Sequence, residues 1–334
     1  MSRRLLATAS AWMLLGCYGS HVDEPDADGG ETGVPEAWPD SLDAADAIAD
    51  AEGVVDSGPC PSGMALVPAG PFLMGCRWDD GDPVEYRQCD HTLGGVPVTL
   101  SSYCIDLTEV TNAAYAACVA SGSCEPPDRV DNQTLRPHYY DNPEFADYPV
   151  VWVSPLDAET YCRWLGRRLP SEAEWEKAGR GGCEIVAPET CGPEDGRMFP
   201  WGDSPPTCDQ AEHWDCGPEP GRRGITHPVG SLPAGASPYG VLDMVDNIRE
   251  ITATWAEDVS ANEPESWWYR NCASGCADPT GPDPEDLPFQ SKALRGFLSG
   301  DQALWMPLPF GGDRLPVYQS YHDEGFRCAA NPRE

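Results

Sequence analysis

The sequence predicts an irregular α+β domain, low in secondary structure and braced by disulfides. Three observations carry that expectation. Glycine (34 residues) and proline (35 residues) make up about a fifth of the 334, so turns break the chain into short pieces. Twelve tryptophans and twelve tyrosines supply large, stiff side chains that fill a core where regular elements are few. Fifteen cysteines with no Cys-x-x-Cys pair suit disulfides better than a metal or thiol site.

The chain opens on MSRRLLATASAWMLLGC, in which Arg3 and Arg4 precede a short apolar run. The run is too short for a permanent membrane span and reads as an export signal over residues 1–16. Leu14-Leu15-Gly16-Cys17 resembles the bacterial lipobox, which is cut before a cysteine that then carries lipid. Acyl chains add about 0.8 kcal/mol per buried methylene, so Cys17 would anchor the protein to a bacterial membrane. Tyr18 beside it is a weak pointer to the outer membrane or cell surface. Setting Cys17 aside leaves an even fourteen cysteines. The spacings Cys118 to Cys124, Cys183 to Cys191, Cys208 to Cys216 and Cys272 to Cys276 suggest local loops, while the full connectivity stays open.

Between His21 and Asp56 there are twelve Asp or Glu and no Lys or Arg. Such a stretch has too little apolar surface to offset its ordering entropy, so residues 17–59 are expected to be a disordered acidic tether. Residues 60–334 then form one domain. Without those twelve acids and the two leader arginines, 55 acidic and 21 basic residues fall to 43 and 19, a formal charge of about −24. That balance excludes nucleic acid as a partner, because polyanions need clustered positive charge.

Within the domain, Met64–Val67, Val96–Leu100 and Val150–Val153 read as strands. A helix begins near Thr111 and ends before Gly122, with Ala114, Tyr115, Cys118 and Val119 on one stripe. In VSPLDAETYCRWLGRR, Ser154 is the N-cap, Pro155 the first helical residue and Asp157 the capping-box partner. Leu156, Ala158, Cys162 and Leu165 are expected to face inward, with Gly166 as the stop. In LPSEAEWEKAGRGG, Ser171 caps a helix, Glu174 completes the box and Gly179 ends it. Trp152, Trp164, Trp175 and Trp201 read as packing residues, and Arg167, Arg168 and Arg295 as anchors for carboxylates within the fold.

Six blocks now stand in one order: MALVPAGPFLMG, CIDLTEVTNAAYAACV, YPVVWVSPLDAETYCRWLGRRLPSEAEWEKAGRGG, FPWGD, PVGSLPAGASPYGVLDMVDNIREI, and LRG followed by GFRCAA. In that order they resemble the formylglycine-generating enzyme, or sulfatase-modifying factor, family over residues 62–330. The resemblance implies a modified C-type-lectin-like fold, often with structural calcium. In the enzymes of the family, copper-dependent oxidation turns a sulfatase cysteine into formylglycine. It also implies a disulfide between Cys162 and Cys328. Calcium is implied at Asn247 and Glu250, which offer the hard oxygens that ion prefers. Three neighbours depart from the family pattern: Asp246 stands for a glycine, and Arg249 and Ile251 stand for tryptophans. A second family site would draw on Asp209 or Glu212, in a looser register.

Copper is not expected. Cu(I) prefers sulfur, and the active enzymes place two cysteines between their R-G-G-S segment and the final G-F-R-C. Here Arg295-Gly296 runs into Phe297, Leu298 and Ser299, and no cysteine lies between Cys276 and Cys328. Met306 and His322, sixteen residues apart with no thiolate, make a poor substitute. The six histidines (His21, His91, His138, His213, His227 and His322) form no cluster of the kind that sulfoxide synthases use, and hydrolase motifs are missing. The expected function is therefore a tethered, non-catalytic domain that binds an envelope protein, a peptide or a glycan. The alternative is a copper-dependent formylglycine-generating oxidase with a divergent site.

Overall fold

In the computed structural model the described residues are 58–75, 95–131, 136–186, 197–212, 216, 226–257, 266–296 and 314–333. They lie in one compact unit, Trp38–Glu334. The expected leader, Cys17 with its expected lipid, and nearly all of the expected acidic tether fall outside them, as do Cys191 and Met306.

The two ends of the domain meet in one sheet. Strand β4 (Tyr103–Asp106) sits between β1 (Met64–Val67) and β10 (Ala329–Ala330), antiparallel to both. The Cys60–Cys104 disulfide and a bond from the Arg333 amide to the Pro59 carbonyl, 2.7 Å, fasten the same edge. A second sheet orders β2 (Gly70–Met74), β3 (Val96–Leu100) and β6 (Cys276–Ala277). Val96, Val98 and Leu100 alternate inward along β3, as a half-buried strand should. The third sheet runs β8 (Arg314–Pro316), β7 (Ser291–Arg295), β5 (Arg249–Trp255) and β9 (Glu324–Gly325).

Helices α1 (Asn112–Ala120), α2 (Pro155–Trp164) and α3 (Glu172–Arg180) start where their caps predict. The Thr111, Ser154 and Ser171 side chains accept from Ala114, Asp157 and Glu174 amides, and the last two close full capping boxes. Two short helices follow, α4 (Cys183–Val186) and α5 (Trp267–Cys272). Around Trp175 one core gathers Val67, Phe72, Val98, Tyr103 and Met244. Around Tyr115, Tyr161 and Phe326 a second gathers Cys118, Cys162, Leu294 and Cys328.

Three expectations need correction. Gly179 does not end α3: the helix runs to Arg180, and Gly181 takes the cap at φ 90°, a positive φ that glycine adopts without strain. Val150–Val153 forms no strand. Trp152 lies in the left-handed region at φ 61°, which breaks a ladder; its own amide donates to the Tyr321 carbonyl and the Val150 amide to the Val110 carbonyl. Leu156 points outward at 40 % exposure, and Tyr161 takes the inward place on α2.

The arginine assignments hold. Arg167 meets Asp106 at 2.7 Å, Arg168 grips Glu174 with two bonds of 2.6 and 2.7 Å, and Arg295 bonds Glu172 and Glu176. Trp175 is fully buried, and Trp152, Trp164 and Trp201 are partly buried packing residues.

Candidate functional site

The segment that leads into β5, Asp243–Ile248, contains two residues in the left-handed region, Asp243 at φ 58° and Asn247 at φ 70°. Asp and Asn tolerate that conformation better than other non-glycine residues, so the sequence VLDMVDNIRE suits a tight double turn here. The turn packs the side chains of Asp243 and Asp246 inside, against His227 from the preceding loop. One ligand-capable atom from each of the three lies within 4.8 Å of the others.

Each side chain is held from outside the cluster. The His227 Nε2 is 3.2 Å from Asp246 Oδ2, while its Nδ1 is 3.2 Å from the Pro228 carbonyl and 3.0 Å from Ser231 Oγ. The Gly230 amide donates to Asp243 Oδ2 at 2.6 Å, and the Glu212 amide donates to Asp246 Oδ2. Glu109 lies beside Asp243, outside that trio. It is 2 % exposed and stands within bonding reach of Asp243, and among the described residues no side chain donates to its carboxylate oxygens or to Asp243 Oδ1.

The charges respond to this crowding. Burial, then the neighbouring charge of Asp243, pushes the Glu109 carboxyl well above its usual range against the pull of Arg327. Burial also raises Asp243, with the Gly230 amide opposing and Asp246 adding to the rise. At His227 burial works against the charged ring, yet the hydrogen bond and charge of Asp246 and the charge of Asp243 outweigh it, and the pKa stands at about 9.

The pair expected to hold calcium is not presented as a ligand pair. The Asn247 Oδ1 accepts the His227 amide at 2.9 Å. Both Glu250 oxygens are taken by Arg327, through Nε and Nη2 at 2.7 Å each, and Arg327 is fully buried. A guanidinium thus neutralises the carboxylate that calcium would need, and two residues fall well short of six to eight oxygens. The residues present do not fit calcium at Asn247 and Glu250. Arg249, which stands for a family tryptophan, bonds Asp323 and Glu324 at 2.8 Å each. Asp209 is exposed, and Glu212 contributes its amide rather than its side chain to the cluster.

The interval where an oxidase would carry its cysteines begins after Gly296, and residues 297–313 lie outside the described residues. Beyond it, the His322 ring lies 6.0 Å from Trp152, and Arg129 stacks on the same tryptophan at 4.8 Å. Every described cysteine is disulfide-bonded, so none offers a thiolate. Cys162 joins Cys328, and the close loops Cys118–Cys124, Cys208–Cys216 and Cys272–Cys276 form as their spacing suggests. Cys183 is also bonded, while Cys191, its expected partner, lies outside the described residues.

A separate open groove of about 1050 Å³ runs between α2, α3 and the 278–287 loop. Trp255 and Trp267 line it, with Arg168 and the acids Asp278, Asp283 and Asp286 at its walls.

The sequence reading missed Glu109, His227, Asp243 and Arg327 and saw Asp246 only as a lost glycine. Glu109, His227, Arg327 and the Asp243–Asp246 pair are separated along the chain, and no spacing rule brings them together. The one available signal was a polar histidine and two aspartates within a stretch otherwise apolar enough to be core.

Comparison with known proteins agrees with this architecture. The family model described as a sulfatase-modifying factor enzyme 1-like domain matches residues 54–332. A formylglycine-generating enzyme from Mycobacterium tuberculosis is 40% identical over 195 residues, which cover 56% of this chain and 58% of that protein. A bovine protein named inactive C-alpha-formylglycine-generating enzyme 2 is 37% identical over 123 residues, 33% of this chain and 34% of its own. The chain spans about half the length of the curated relatives it matches. Among solved structures, PvdO from Pseudomonas aeruginosa superposes with a TM-score of 0.54 at 22% identity, covering 80% of this chain and 94% of that one. The matched model, together with a low-secondary-structure α+β fold and the Cys162–Cys328 bridge, places the chain in the sulfatase-modifying factor family.

Proposed function

We propose that this chain is a lipid-tethered member of the family that binds a partner in the bacterial cell envelope and carries out no copper-dependent oxidation. One observation carries the reading: between Cys276 and Cys328, the interval that holds the thiolate pair in active members, the sequence contains no cysteine. Copper(I) chemistry on a substrate thiol needs soft sulfur ligands, and every described cysteine is committed to a disulfide. A relative bearing the name of an inactive formylglycine-generating enzyme supports the idea that the family fold persists without its chemistry. The groove with Trp255 and Trp267 supports a binding role, since aromatic faces beside a few polar groups suit a peptide or a glycan.

The test is incubation of the purified protein with copper, oxygen and a cysteine-containing sulfatase-motif peptide. The peptide mass is expected to stay unchanged; an aldehyde product would restore the oxidase reading. Tethering has its own check. Cys17→Ser is expected to shift the protein from the membrane fraction to the soluble one, and an unchanged membrane fraction would remove the lipid anchor from the proposal.

A further inference from the structure

The groove between α2, α3 and the 278–287 loop carries a charge that its own walls do not balance. Three arginines line it, and each is held by an acid of the fold: Arg163 by Glu159, Arg168 by Glu174 and Arg270 by Glu257. Asp278, Asp283 and Asp286 line it as well, and all three are exposed. Among the described residues no cation forms an ion pair with them, so the groove offers three uncompensated carboxylates to whatever enters it.

Packing fixes these walls in place. The Asp278 amide donates to the Thr99 carbonyl at 2.9 Å, and its carboxylate accepts the Ser101 amide and hydroxyl at 2.7 and 2.8 Å. Pro279, Pro282 and Pro284 restrict the loop that follows. Gly281, at φ 81°, lies so close to β5 that a Cβ there would stand 2.5 Å from Thr254 Cγ2. The Glu257 carboxylate accepts the Trp267 amide, which fixes the start of α5. Trp255 already holds one cation, the Lys292 ammonium, 3.7 Å from its ring centroid. A groove formed in advance spares its ligand the cost of ordering a loop.

We propose that this groove binds an extended peptide segment of a partner protein that carries several lysines or arginines. The carboxylates are spread along the loop from Asp278 to Asp286, which suits charges repeated along a chain better than one small cation. Contact of a guanidinium or ammonium with Trp267 adds to the ionic attraction. A neutral glycan leaves the three carboxylates unserved, and an anionic glycan or lipid surface is repelled. A second copy of this chain, with 55 acids against 21 lysines and arginines, is repelled likewise. A cationic ligand rests on the binding role proposed above, and the two fail separately, since an aldehyde product in the copper assay leaves peptide affinity untouched.

The experiment reads the fluorescence anisotropy of labelled peptides mixed with the purified full chain, at low and at physiological salt. A peptide alternating lysine or arginine with glycine is expected to bind, more weakly at the higher salt. Peptides with glutamate or serine in the basic positions, and a neutral glucose oligosaccharide, are expected to stay free. Asp283→Asn with Asp286→Asn is expected to weaken the basic peptide about tenfold. The melting temperature should not move, because asparagine caps the 284–286 turn as well as Asp283, which accepts the Glu285 amide. Glu125→Gln with Glu144→Gln removes the same charge from exposed positions outside the groove and is expected to leave binding nearly unchanged. Equal weakening by the two double variants overturns the proposal, since the attraction would then belong to the net charge of the whole molecule. Absence of binding overturns it too. So does a serine peptide or an oligosaccharide that binds as tightly as the basic peptide, which keeps a binding role but removes the charge selectivity. Spermidine binding as tightly as the peptide would assign the groove to small polycations and also overturn it.

Discussion

Arg295 is 2 % exposed and lies between two carboxylates of α3, 3.2 Å from Glu172 and in hydrogen-bond contact with Glu176, with the Trp175 ring 5.5 Å from its guanidinium. Glu176 also receives the Arg180 guanidinium at 2.6 Å and the Gly75 amide at 2.7 Å. Two carboxylates therefore share two guanidinium groups in a place with little water. Burial raises the Glu172 carboxyl, and Arg295 opposes that rise. Removing one member of a buried ionic group costs more than the pair is worth, because the partner remains desolvated. Arg295→Met is expected to destabilise the domain by about 3–5 kcal/mol in urea unfolding. Adding Glu172→Gln to that variant should recover part of the loss, since the stranded charge is gone. A loss below about 1 kcal/mol would mean water reaches the site.

At the scale of the element, α3 isolates one contribution. The Ser171 Oγ accepts the Glu174 amide at 3.1 Å, and the Glu174 carboxylate accepts the Ser171 amide at 2.8 Å while holding Arg168. Ser171→Ala is expected to cost about 1 kcal/mol and Ser171→Gly only a few tenths, because glycine lets water reach the freed amide. Equal losses in thermal unfolding would show that Glu174 alone carries the cap. Features of this kind were legible in the sequence, since Ser154, Asp157, Ser171 and Glu174 lie three residues apart and their bonds are local. Arg167, Arg168 and Arg295 were legible as carboxylate anchors, though not which acids they hold. Trp152 was not legible: nothing in VVWV announces a left-handed tryptophan, and a run of β-formers reads as a strand until tertiary contacts bend it. The cluster of His227, Asp243 and Asp246, with Glu109 beside it, escaped for the same reason, as its members meet only through the loops before β5. Asn247 and Glu250 were singled out as calcium ligands; both are buried, and their partners, the His227 amide and Arg327, come from outside the block.

Across the whole molecule, the Cys162–Cys328 bridge ties α2 to the segment just before β10, over a sequence separation of 166. The Cys118–Cys124 bridge closes a separation of 6. All four cysteines lie buried in the same aromatic core, beside Tyr115, Tyr161 and Phe326, so replacing either pair with alanine leaves holes in similar surroundings. What differs is the freedom each bond removes from the unfolded chain. On the chain-entropy account, the long loop is worth about 5 kcal/mol and the short one about 2 kcal/mol. Cys162→Ala with Cys328→Ala should therefore lower the urea midpoint well beyond Cys118→Ala with Cys124→Ala, by about 3 kcal/mol in unfolding free energy. Equal losses would assign the stabilisation to native packing around the sulfurs. The larger loss would instead explain how a domain of short strands and long loops stays folded: its unfolded state is held small by a bond that spans half the chain.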